Sequence, residues 1–154
     1  PYLYLARIHL RSGEKARAAR ALQQMGQLNE TVHEVHLQEA GLWLELGDSL
    51  SAVHALEKAV EIAPFQVEPH EQLAELYERL GMVEGAVRER RAILALDPTD
   101  RADAHFRLAG ALANAGSPGE ARSQLLRALE IAPSFEAALE LLLELKDAGG
   151  GGSP

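Results

Sequence analysis

The sequence predicts an all-α protein, an array of helix–turn–helix units stacked side by side. The first observation is a set of columns with one period. Gly13, Gly47, Gly81 and Gly116 are spaced by 34, 34 and 35 residues, as are Ala18, Ala52, Ala86 and Ala121, and Ala6, Ala40, Ala74 and Ala109. Pro64, Pro98 and Pro133 share the last two intervals. Columns that agree even on one inserted residue, near Thr99, mark an internal repeat, and a period of this size means units that bury their apolar faces only by stacking. The second observation is helical spacing on both sides of each glycine. Leu37, Ala40, Trp43 and Leu44 recur at three- and four-residue steps before Gly47, and Val53, Leu56, Ala59 and Val60 do so after it.

The elements follow in order. A first, worn unit occupies about 1–32, with helices expected over 1–11 and 14–27. The second unit, 33–66, carries helices over 32–46 and 49–62, split at Gly47, where only glycine takes a positive φ without steric cost. The third, 67–101, starts its first helix near Glu68-Pro69, ends it near Leu80 and places its partner over 83–96. The fourth, 102–135, has helices near 101–115 and 118–131. Its Ser117-Pro118-Gly119-Glu120 reads as a capping box with proline at the first helical position. A terminal helix is expected over 135–148, and 149–154 has the composition of a flexible linker, a natural tail or an artificial remnant.

The alanine columns fit two antiparallel helices that approach closely across a short turn. This pattern resembles the tetratricopeptide repeat, through His36, Ala40, Trp43, Gly47, Ala52, Leu56, Ala59 and Pro64. It continues through His70, Leu73, Ala74, Tyr77, Gly81, Ala86 and Pro98, then His105, Leu108, Ala109, Leu112, Gly116, Ala121, Leu125, Ala128 and Pro133. Arg90 and Ile93 depart from it, standing where the family prefers a large apolar residue and alanine. The resemblance implies an α-solenoid, a right-handed superhelix of stacked pairs, over nearly the whole chain.

Several chemistries are excluded. The absence of cysteine removes disulfides and thiolate chemistry. His33 and His36 flank Glu34 at a spacing of three, where the zinc-peptidase motif needs four. His36, His70 and His105 share one column with Tyr2 and Leu139, which marks a packing position, and Trp43 and Tyr77 read as core. No serine stands in a recognisable nucleophile arrangement, and no glycine-rich phosphate loop precedes a helix. The chain therefore reads as non-enzymatic, with no metal or cofactor. A formal charge of −8 argues against nucleic acid. Residues 1–28 are locally basic, with Arg7, Arg11, Lys15, Arg17 and Arg20 against Glu14. No apolar run reaches the ~18 residues of a membrane span.

The resemblance also implies a function, the binding of a protein segment by a concave groove lined by the first helix of each pair. The groove would present Leu37, Gly41 and Glu45, then Glu71, Glu75 and Glu78, then Phe106, Gly110 and Asn114. The family grips a C-terminal carboxylate with Lys and Asn residues, whereas these positions are mostly Glu, Gly or apolar, so that clamp is absent and a neutral or basic protein or peptide is the expected ligand. Arg88, Arg90, Arg91, Arg122 and Arg127 would place positive charge on the opposite, convex side. The alternative is a non-catalytic tail of a larger bacterial enzyme such as a peptidase, since Pro1 lies inside an apparent helix and the chain reads as a fragment. The compartment stays open between cytoplasm and cell envelope. On the terminal helix, Leu141 and Leu143 replace mostly polar and alanine column-mates, so a weak homodimer at most is expected there.

Overall fold

The computed structural model describes residues 1–28 and 31–149. Those residues form nine helices: α1 (Tyr2–Arg11), α2 (Lys15–Leu28), α3 (His33–Leu46), α4 (Ser49–Ile62), α5 (Val67–Arg79), α6 (Val83–Ala95), α7 (Arg101–Asn114), α8 (Pro118–Ile131) and α9 (Glu136–Gly149). The expected bounds hold to within about two residues. α5 starts at Val67, so Pro69 sits in its first turn, where an amide N–H has no intrahelical acceptor to lose. Residues 29 and 30 of the link before α3, and 150–154 of the expected tail, lie outside the described residues.

All four glycine turns share one geometry. Gly13, Gly47, Gly81 and Gly116 have φ between 70 and 83°. In each, the glycine N–H bonds the carbonyl three residues back, and the next N–H bonds the carbonyl five back, as in Asp48 to Trp43 at 2.9 Å and Met82 to Tyr77 at 2.9 Å. These bonds satisfy carbonyls that the end of a helix leaves open. Starters follow at once. Asp48 accepts from the Ser51 backbone N–H at 3.0 Å and from its hydroxyl at 2.8 Å, and Asp100 accepts from the Asp103 N–H at 2.9 Å. The expected capping box at Ser117 does not form: its side chain makes no cap bond, and Glu120 instead accepts from Arg91 at 2.7 Å. A charge-assisted partner outcompetes the backbone amide.

The Ser51 bonds, backbone first, hold the Asp48 carboxyl below its ordinary value. Asp48→Ala is therefore expected to cost about 1 kcal/mol of stability. Because the folded value is the lower one, that contribution is fully present above about pH 4 and is lost as pH falls through the folded value. Urea unfolding at pH 7 and pH 3 checks it, and an undiminished difference at pH 3 would refute the cap.

The chain divides into two compact units, Pro1–Leu76 and Tyr77–Pro154. In the first, α1 packs on α2, α2 on α3 and α3 on α4, and the first helices α1 and α3 also touch. Ala6, Ala18, Ala40, Ala52 and Ala59 are buried at the helix contacts, with Leu22, Leu56 and Trp43 filling the space between. In the second, α6 packs on α7, α7 on α8 and α8 on α9, and α7 touches α9. Ala86, Ala109, Ala121 and Ala128 occupy the same columns, packed with Tyr77, Leu108, Leu112 and Leu125. Methyl side chains let the helix backbones approach, while each buried leucine contributes about 1.5–3 kcal/mol. No helix among the described residues is long and apolar enough to cross a membrane.

Candidate functional site

Helical periodicity aligns the groove candidates in each unit. Leu37, Gly41 and Glu45 follow one another at four-residue steps along α3, the leucine half-buried and the other two exposed. Glu71 and Glu75 are exposed on α5. In the second unit Glu78, Phe106, Gly110 and Asn114 come together. With Arg107 and Ala111 they line one concavity of about 210 Å³.

Charge in that concavity differs from the sequence expectation. Arg90 donates from Nε to Glu78 Oε1 at 2.8 Å and from Nη2 to Oε2 at 2.9 Å. Arg90 is 3% exposed, so it contributes no surface charge, against the expectation that it lies on the convex side. The reason is its column: its period-mates Leu56 and Leu125 are buried, and a guanidinium placed there must find a carboxylate. Glu78 therefore enters the concavity already compensated. Beside it, Arg88 donates to Glu89 at 2.8 Å and to the Tyr77 hydroxyl at 3.2 Å, and its guanidinium lies 5.6 Å from the Tyr77 ring centre. The bond to Glu89 pushes the Arg88 guanidinium above its ordinary value. Phe106 is partly committed as well, its ring 4.9 Å from that of Phe135.

Glycines inside helices sort into two kinds. A Cβ at Gly85 would lie 2.8 Å from the Tyr77 ring, and one at Gly26 would lie 2.8 Å from the Glu39 carboxylate, so internal packing requires both. Gly41 and Gly110 would meet nothing within 4 Å. A mid-helix glycine costs about 0.5–1 kcal/mol against alanine, and at Gly41 and Gly110 no neighbour within the chain accounts for it.

The histidine column is buried at His36, His70 and His105, in line with a packing role, and each ring is held. His36 Nδ1 lies 3.0 Å from Glu39, His70 Nε2 3.0 Å from the Pro64 carbonyl, and His105 Nδ1 2.7 Å from Gln124 Oε1. Leu139, in the same column, is 42% exposed instead. Among the described residues no group of three or more His, Asp or Glu could hold a metal ion. The sequence reading sets Glu39 only beside the histidines of the rejected metal motif and misses its role here: it is buried and also accepts from Trp43 Nε1 at 3.2 Å. Its signal was the spacing His36, Glu39, Trp43, which sets all three on one helix face. They border a second concavity of about 380 Å³ in the first unit, with Gly26 and Lys58.

Paired helices with a left-handed glycine turn, repeated every 34 or 35 residues, define a tetratricopeptide-type helical repeat. Residues 102–135 match the tetratricopeptide repeat family. No curated protein matches its sequence. Among solved structures, that of MamA is similar over 95% of this chain and 85% of its own, with a TM-score of 0.71 and 19% identity. The first repeat domain of Spaghetti (RPAP3), bound to the HSP90 peptide SRMEEVD, covers 77% of this chain and 94% of its own, with a TM-score of 0.64 and 20% identity. A putative kinesin light chain of Podosopora anserina with nearly identical repeats covers 97% and 85%, with a TM-score of 0.67 and 22% identity.

Proposed function

We propose that this protein is a non-catalytic interaction module that captures a neutral or basic segment of a partner protein against its first helices. Proteins of this family in general bind other proteins. The observation that carries the reading is the concavity at Glu78, Phe106, Gly110 and Asn114, where a helical glycine is left uncovered by the chain itself. A backbone can lie closely on such a glycine while an apolar side chain meets Phe106. Charge selects the ligand. The peptide held by the Spaghetti domain carries three acidic residues against one arginine, whereas Glu45, Glu71 and Glu75 are exposed here and Glu78 is already paired.

Gly110→Ala separates this role from a structural one. The substitution is expected to stabilise the fold by about 0.5–1 kcal/mol, because nothing crowds the new methyl. It is expected at the same time to weaken capture of peptides selected from a displayed library by fivefold or more. Peptides selected by the parent chain should be neutral or basic, and their binding should weaken with salt, since exposed charges are screened within about 10 Å at 0.1 M. Selection of acidic C-terminal peptides, or binding indifferent to Gly110→Ala, would overturn the assignment.

A further inference from the structure

We propose that the open flank of α9 is a seat for an amphipathic helix of a partner protein bearing arginine or lysine along one edge. That helix would dock on α9 as α8 docks on α7. The surface is separate from the concavity at Gly110, and the inference does not depend on it.

The repeat register shows what the flank lacks. Leu139 and Leu143 stand one period after His105 and Ala109. On α7 those two positions are buried, and His105 bonds Gln124 of α8. On α9 the leucines, one helical turn apart, are 42% and 61% exposed. Another face of α9 is already engaged: Ala138 is fully buried, and the Leu145 carbonyl accepts from Arg122 of α8 at 2.8 Å. The exposed pair is thus a second face, apolar and uncovered among the described residues.

Charge selects the occupant. Glu136, Glu140 and Asp147 run along the edge beside these leucines, and no ion pair involves them among the described residues. Asp147 falls in the column of Glu78. There the next helix supplies Arg90, which grips the carboxylate with two bonds. The same device on a docked helix would meet Asp147. A second copy of α9 would instead set one acidic edge near another, with Lys146 alone in opposition. Leucine at the close-approach position, where the other pairs have alanine, also calls for a small residue on the incoming helix.

The chain contains its own probe. A fluorescent peptide of residues 82–97, the α6 segment that carries Arg90, is held helical by a cross-link between positions 84 and 88, both exposed in the fold. Titrated with the full chain, it is expected to bind saturably. Leu143→Asp and Asp147→Lys should each weaken it at least tenfold without lowering the melting temperature, both positions being exposed. The peptide carrying Arg90→Asp should bind the parent poorly and recover on the Asp147→Lys chain. Absence of saturable binding, or binding unaffected by Leu143→Asp, would overturn the proposal. So would a parent chain that dimerises in sedimentation and loses the dimer on Leu143→Asp, because the occupant would then be a second copy.

Discussion

Glu78→Ala is expected to lower the free energy of unfolding by about 2–4 kcal/mol, whereas Arg90→Leu should leave it within about 1 kcal/mol of the parent. The asymmetry follows from burial. The Arg90 side chain is 3% exposed and that of Glu78 is 31% exposed. Removing Glu78 strands a guanidinium that stays charged at any working pH and has no water to turn to. Removing Arg90 leaves a carboxylate that can hydrate from the concavity. The incoming leucine matches the buried period-mates Leu56 and Leu125. The figure for Glu78→Ala lies below the 3–5 kcal/mol of a fully buried broken pair because Glu78 is partly in water. Urea unfolding of the two variants decides the matter. Equal losses would mean that the pair itself contributes net stability and that desolvation is not the controlling cost.

This ion pair also shows where the sequence stopped being readable. The glycine turns were legible because their cause is local: one residue must take positive φ, and it recurs every 34 or 35 positions. Helix bounds followed from those turns, from Asp48 and Asp100, and from the prolines. Arg90 was visible as a departure from its column, but not its partner, which lies twelve residues back across the turn. Glu120 departs from the expected capping box for the same reason, since its partner Arg91 lies 29 residues away. The candidate site was readable to the extent that helical phase decides it. Phase put Phe106, Gly110 and Asn114 on one stripe of α7 and the repeat resemblance set Glu78 in the same groove, but its neutralisation by Arg90 depends on packing across the turn.

The buried polar cluster of the first unit should behave as one object with Gly26. Glu39 stands in the column of Leu73 and Leu108, yet a carboxylate occupies it, accepting from Trp43 Nε1 and paired with His36. Glu39→Ala removes the acceptor of a buried indole N–H and opens space beside it, and about 2–4 kcal/mol of lost stability is expected. Gly26→Ala alone would gain helix propensity. However, its methyl would fall 2.8 Å from Glu39 Oε2 and 3.0 Å from Oε1, atoms fixed by the two bonds just named. Relieving that clash means moving the carboxylate and weakening both bonds, for a net cost of about 1–2 kcal/mol. In the double variant the methyl enters the space that Glu39 vacated, so the clash disappears and the propensity gain remains. The pair should accordingly be less destabilised than the sum of the singles by about 1.5–3 kcal/mol in a double-mutant cycle, the net cost removed plus the propensity gain of about 0.5–1 kcal/mol. Additivity within about 0.5 kcal/mol would show that Glu39 moves freely, and that Gly26 is not held by the carboxylate it faces.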